Sequence, residues 1–410
     1  MSTKTRLGAM MFLQYAIWGA WAPVLSAYLI NDLHFSGQQV GWVYALLPLA
    51  TIVAPFVGGQ VADRTFATET IIGFLSFTGG ILLIVVSRMT DFRAMAPLML
   101  LYCLLYAPTL ALTNSIAMIN LKDSEAEFGR IRVWGTLGWI ASGLALTGWR
   151  WAAAAGTLPR VPGDTLLLAG ICSIVMGFQS FTLPHTPPRK EGVKPWAFLE
   201  SLKMLRDKDF AIFVAITFVV ATELEFYYIL TAPFLQSPAI GVSDTNVPAV
   251  MTIAQLAEVL VLTFLLSWAL KRYGMRRTLA IGVVAWPLRY IIFAIGAPKW
   301  LVLAALALHG FCYVFFFVAA FIYVDKVAPP DVRASAQSMI AIVALGFGRG
   351  LGSVFAGSIR DMFTTHGVTD WRAVFLVPCA LTLLCVAAFL IFFRGQGKPL
   401  PEDAGVRMAA

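Results

Sequence analysis

The chain has 410 residues, 59% of them hydrophobic and 13% charged, with a mean hydropathy of +0.79 and a net charge of +8. A soluble domain carries about 25% charged residues, so this chain has about half the solvating groups that water demands. Composition excludes an ordinary soluble fold and points to a chain dissolved in lipid.

Twelve apolar runs follow one another: Met11–Ile30, Gly41–Val57, Ile71–Val86, Met95–Ile119, Trp134–Thr147, Leu166–Leu183, Phe210–Leu235, Val247–Leu270, Leu279–Ala297, Leu301–Val324, Ala334–Ser358 and Ala373–Phe393. Most approach or exceed the ~20 residues that carry a helix across ~30 Å of hydrocarbon. They lack the strict alternation of a transmembrane barrel. The expected fold class is an all-α membrane protein of twelve transmembrane helices. The first run has no small-residue cleavage site and reads as a retained helix.

In chain order, "FLQYAIWGAW" puts Gln14, Trp18 and Trp21 on one helix face by spacings of four and three. Trp18 and Trp21 serve equally well as interfacial anchors. After the second span, "GGQVADRTFATET" (58–70) forms a tight charged turn with Asp63 and Arg64, and "LKRYGMRRTLA" (270–280) echoes it after the eighth. In "RIRVWGTLGWI" the same spacing aligns Arg132, Thr136 and Trp139. The longest polar stretch, "PHTPPRKEGVKPWAFLESLKMLRDKD", follows the sixth span. It divides the chain into a six-helix bundle over 1–184, a cytoplasmic linker over 185–209 and a second bundle with a short tail over 210–410, the plan of a transporter built from two similar halves.

Ionisable residues at membrane depth are costly and mark function by default. "TELEFYY" carries Glu223 and Glu225, which point to roughly opposite faces, so at most one meets a central cavity. "MTIAQLAEVLVLTFLL" places Gln255 and Glu258 on one face, mid-span. Arg289 and Arg349 read as structural counter-ions of the glutamates, and His309 as a structural histidine. Tryptophans beside amide, carboxylate and guanidinium groups suit a planar hydrogen-bonding ligand. Of the Lys and Arg residues, 21 fall on the segments that an inside N-terminus makes cytoplasmic and 7 on the outer loops. That bias puts both termini in the cytoplasm and leaves no need for a nucleic-acid partner. All five cysteines lie inside apolar runs as small hydrophobes. HExxH, GxSxG and paired-histidine motifs do not occur, so no enzyme, metal or cofactor is expected.

The stretches "FLQYAIWGAW", "YAPTLALTNSI", "IRVWGTLGWI", "TLPHTPP", "ATELE", "AQLAEVL", "RYGMRRTLAIGVVAWPLRY", "VRASAQSM" and "GVTDWRAVF" together resemble the nucleoside:H⁺ symporter family of the major facilitator superfamily over the whole chain. The resemblance implies a monomer of two six-helix bundles in the cell inner membrane, taking up nucleosides with a proton by alternating access. It implies that Arg132, Thr136, Trp139, Gln255 and Glu258 surround the nucleoside. Glu225, Tyr228, His309 and Tyr313 complete the set, though Glu225 stands where the family has a glutamine and Tyr228 where it has an asparagine. His309 and Tyr313 replace a tyrosine and a phenylalanine. Val314 stands where well-studied members carry an aspartate, which leaves Glu225 as the candidate replacement carboxylate. Asp63 and Arg64 resemble the superfamily's gating turn. A carboxylate withdrawn from water holds its proton to higher pH, which makes Glu258 and Glu225 the proton-coupling candidates. Alternatives at this stage are a carrier of a cationic amine or glycoside, and a non-transporting membrane sensor.

Overall fold

The computed structural model describes residues 2–62, 66–187, 197–330 and 332–395. Asp63 and Arg64, the expected gating turn, lie outside them, as does the middle of the linker. The described chain forms α1 (Thr3–Trp21), α2 (Leu25–Asn31), α3 (Gly37–Ala62), α4 (Thr68–Val86), α5 (Phe92–Asn120), α6 (Ser124–Ala154) and α7 (Asp164–Ser180). Then come α8 (Lys208–Gln236), α9 (Val247–Leu260), α10 (Leu266–Ile295), α11 (Lys299–Ala305), α12 (Leu308–Cys312), α13 (Ala319–Val327), α14 (Arg333–Ala341), α15 (Arg349–Met362) and α16 (Trp371–Phe392). A 3₁₀ segment, Ala197–Arg206, precedes α8 and packs on α14.

Among the described residues, eight helical stretches are long and apolar enough to cross a bilayer. One of them, Val247–Ile295, runs for 49 residues and is two spans. Gly274 breaks it with φ 74° and ψ 173°, a conformation that glycine adopts without steric cost, inside the turn expected at 270–280. With α1 and α6, whose polar residues dilute their hydropathy, and α7, an apolar helix of 17 residues, the described residues reach twelve spans.

Local signals explain where several helices begin. Ser2, Asp91, Asp207 and Asp370 each accept a backbone N–H of the first turn, at Thr5, Ala94, Phe210 and Ala373. Such N-caps stabilise a helix by about 1 kcal/mol. Before α16, β1 (Thr364–Thr365) pairs antiparallel with β2 (Val368–Thr369). His366 and Gly367 close this hairpin with φ 51° and 79°, the positive values that a two-residue primed turn requires.

Lipid offers no hydrophobic drive between helices, so packing rests on small residues that let backbones approach. A Cβ on Gly138 of α6 would collide with the Phe12 carbonyl of α1, and one on Gly19 would lie 2.7 Å from Trp139 Cα. Gly80 and Gly170 play this part between α4 and α7, and Gly37 and Gly357 between α3 and α15. Phe74, Phe178, Phe264, Leu384 and Ile391, all more than half exposed, point outward, where hydrocarbon replaces water.

At the end of the bundle away from the termini, polar contacts join the first seven helices to the later ones. Arg150 of α6 bonds Asp164 at 2.7 Å and reaches Asp244, in the α8–α9 turn, at 2.8 Å. Trp151 Nε1 donates to Asn246 at 3.0 Å, and Asn31 donates to Gln236 at 2.5 Å. The backbone N–H groups of Gly37 and Gln38 donate to Asp361.

Candidate functional site

Midway through the bundle, between α1, α3, α5 and α6 on one side and α8, α9 and the spans of α12–α15 on the other, lies a cavity of about 350 Å³. That size falls in the ~300–1,000 Å³ range of small-molecule sites. The first side presents Tyr15, Trp18, Asn114, Arg132, Thr136 and Trp139, together with Thr51 and aliphatic Leu47, Pro48 and Leu110. The second presents Tyr228, Gln255, Glu258, Tyr313 and Arg349, with Leu224 and Leu345. Of the nine residues expected at the site, Arg132, Thr136, Trp139, Tyr228, Gln255, Glu258 and Tyr313 therefore surround one cavity.

The aromatic lining is contiguous. Trp18 meets Trp139 edge to face with ring centroids 5.3 Å apart, and Trp139 lies 6.3 Å from Tyr228. Such rings offer a planar ligand both faces and edges. Polar atoms of the lining are left without protein partners: Trp139 Nε1, Gln255 Oε1 and Asn114 Oδ1 are buried and make no hydrogen bond among the described residues. Buried polar groups are nearly always satisfied, and these three stand out as unpaired atoms in residues of the lining. Arg132 lies with its Cζ 3.9 Å over the Tyr15 ring.

Glu225 and His309 do not line the cavity. Glu225 is fully buried behind it, taking Arg349 Nε at 2.5 Å and Ser353 Oγ at 3.0 Å. Its charge is spent on Arg349, whose guanidinium has its other side on the cavity and lies 5.4 Å from the Trp18 ring and 5.1 Å from that of Tyr228. His309, also fully buried, stacks on Tyr227 at 4.5 Å and on Tyr313 at 5.7 Å. Its Nδ1 pairs with Arg289 Nη1 at 3.3 Å. A guanidinium only donates, so Nδ1 is the acceptor and His309 supports the Tyr313 ring from behind.

The counter-ion expectation divides. Arg349 does neutralise Glu225, but among the described residues no carboxylate salt-bridges Arg289. It sits among the rings of Trp286, Tyr227 and Tyr290 at 4.7, 4.9 and 5.1 Å. Glu223 turns away from the cavity, with its carbonyl accepting from the Tyr290 hydroxyl and its carboxylate from Thr222 at 3.3 Å. The face of Gln14, Trp18 and Trp21 is also shared out. Trp18 reaches the cavity, Gln14 donates to Thr109 at 2.7 Å, and Trp21 packs on Tyr44.

Sequence reasoning missed Tyr15, Asn114 and the cavity-facing side of Arg349. The asparagine in "LALTNSI" was a usable signal, an amide inside an apolar run. Three π-helical turns had none: Val261–Leu265 just after Glu258, Tyr313–Val318 and Ile342–Gly348 just before Arg349. Such turns re-aim side chains and recur at functional sites.

Twelve spans around a central polar cavity, sealed at one end by contacts between the two sets of helices, define a membrane carrier of the major facilitator type. The family model described as nucleoside H⁺ symporter matches residues 1–398, and the chain belongs to that family. YegT of Escherichia coli (strain K12) is 36% identical, covering 96% of this chain and 94% of its own. The xanthosine permease of the same organism is 30% identical, covering 97% and 98%. A crystal structure of a variant of the nucleoside transporter NupG superposes with a TM-score of 0.87 at 28% identity, covering 96% of this chain and all of that one.

Proposed function

We propose that this protein is a secondary active transporter that carries nucleosides, or a closely related polar heterocycle, together with protons by alternating access. The observation that carries the reading is the cavity itself: an aromatic wall, two guanidiniums, an amide pair and one carboxylate around about 350 Å³. Trp18, Trp139 and Tyr228 sandwich the base, Thr136, Asn114 and Gln255 hydrogen-bond its edge or the sugar, and Arg132 supplies charge-assisted donors. Glu258 is the one glutamate of the cavity lining, and it carries the coupled proton. With Glu225 committed to Arg349 and two guanidiniums on the lining, a cationic amine fits poorly.

In this reading residues 1–184 and 210–410 are two rocking bundles joined by the 185–209 linker, and the protein acts as a monomer in the inner membrane. Both termini are cytoplasmic, in keeping with the distribution of basic residues. The end joined by Arg150, Asp164 and Asp244 then faces outward and is closed in this structure.

The test is uptake of radiolabelled nucleosides into proteoliposomes, with and without an inward proton gradient, against bases, sugars and amines as competitors. Gradient-dependent accumulation of a nucleoside is the expected result. Accumulation of an amine or glycoside with nucleosides inert would overturn the reading.

A further inference from the structure

Arg132 is the cation of the α1–α6 side of the cavity, and among the described residues no carboxylate lies within 4.0 Å of it and it makes no hydrogen bond to protein. An intramembrane charge without a partner is costly, and a long side chain without one has rotamer freedom to lose on binding. The structure supplies a different restraint. The guanidinium lies 3.9 Å above the centroid of the Tyr15 ring, close enough for the ring quadrupole to hold the charge.

The backbone makes room for this stack. A Cβ on Gly135 would stand 2.6 Å from Tyr15 Cδ2 and 2.7 Å from Arg132 Nη1. The collision with Phe12 that glycine avoids at 138, one turn on, lets α6 approach α1 in the same region. Glycine at 135 leaves free the space in which Tyr15 and Arg132 meet at the cavity wall.

We infer that Tyr15 is the positioning residue of the substrate site, holding Arg132 by a cation–π contact through the gap left by Gly135. An ion pair would consume the guanidinium's donors and cancel its charge. A ring face takes neither, so all five N–H donors and the full charge stay available to the ligand and to Glu258.

The inference rests on the nucleoside-carrier reading, so wild-type uptake is the first control. No nucleoside uptake by the wild type would overturn both. With uptake established, Tyr15→Leu, Tyr15→Phe, Gly135→Ala, Arg132→Gln and the Tyr15→Leu/Arg132→Gln double variant are compared for KM, kcat and thermal stability. Tyr15→Leu should raise KM about three- to thirtyfold, the span of a partly to fully desolvated cation–π contact, with kcat and thermal midpoint little changed. Tyr15→Phe keeps the ring and should restore most of that loss, whereas Gly135→Ala should reproduce it. In the Arg132→Gln background Tyr15→Leu should add nothing. Multiplication of the two single effects would overturn the inference, because Tyr15 would then act on the ligand itself. Loss of folding in Tyr15→Phe as well as Tyr15→Leu would do the same, by making the ring a packing element.

Discussion

Among the described residues, the α1–α6 side of the cavity holds one guanidinium and no carboxylate, whereas the α8–α15 side holds Glu258 and, just behind the lining, Glu225 paired with Arg349. The backbones differ in the same sense. Among the described residues, α1–α7 carry no π-helical turn, while the later spans carry three, each touching or lying within three residues of a cavity residue. A regular helix pair joined by glycines fixes one charge in one place. π-helical turns recur at functional sites, and here they accompany Glu258 and the Glu225–Arg349 pair. The first side is therefore suited to hold the ligand, and the second to change charge state and conformation between the two faces of the membrane.

The largest effects should come from the second side, and the two glutamates should separate. Glu225→Ala leaves Arg349 without its partner in a buried site, a loss of ~3–5 kcal/mol by the usual cost of breaking such pairs. A thermal midpoint equal to that of the wild type would show that the pair is not structural. Glu225→Gln keeps an acceptor for Arg349 and Ser353, so it should be milder and still accumulate substrate on a proton gradient. Glu258→Gln cannot release a proton. It should bind ligand and exchange it in counterflow yet fail to accumulate it. Uncoupled exchange by Glu225→Gln, with Glu258→Gln losing binding, would reverse the assignment and make Glu225 the coupling carboxylate.

On the first side the effect is one of affinity. Arg132→Ala removes charge-assisted hydrogen bonds worth ~1.5–3 kcal/mol, so Kd for a transported nucleoside should rise by roughly ten- to 150-fold, with counterflow surviving at saturating ligand. Arg64→Ala should leave Kd unchanged, since the reading gives that residue to gating. An unchanged Kd in Arg132→Ala would remove α6 from the site, and with it the contrast between the two sides.

Much of this was legible in the sequence because membrane spans and their intruding polar residues stand out against hydrocarbon. Seven of the nine expected residues meet at one cavity because spacings of three and four fix which residues share a helix face. Spacing does not fix what a face meets. Gln14, Trp18 and Trp21 share one face of α1 but are divided among α5, the cavity and α3. Nor does it give depth: Glu225 and His309 stand one layer behind the lining because Arg349 and Tyr313 come between. Arg289 reads as a counter-ion only if a carboxylate is assumed to be what a buried guanidinium requires, and aromatic faces serve instead.

The smallest effect tests what the aromatic wall contributes. Trp139 lies on the lining edge to face with Trp18, and its buried Nε1 makes no hydrogen bond among the described residues, so a ligand that reaches it meets both a ring and a donor. Stacking contributes ~0.5–1.5 kcal/mol beyond area burial, and a neutral hydrogen bond a net ~0.5–1.5 kcal/mol. Trp139→Phe keeps one aromatic ring but removes the donor and part of the stacking area, and should weaken nucleoside binding by a few fold. Trp139→Ala should bring the loss to about tenfold or somewhat more, and ligands without an aromatic ring should be spared most of it. Equal losses for ring-bearing and ringless ligands in Trp139→Ala would mean that Gly19, which packs on Trp139, has lost its neighbour and the α1–α6 seam has shifted. A fall in thermal midpoint would accompany that outcome, and the wall would then owe its selectivity to Trp18 and Tyr228.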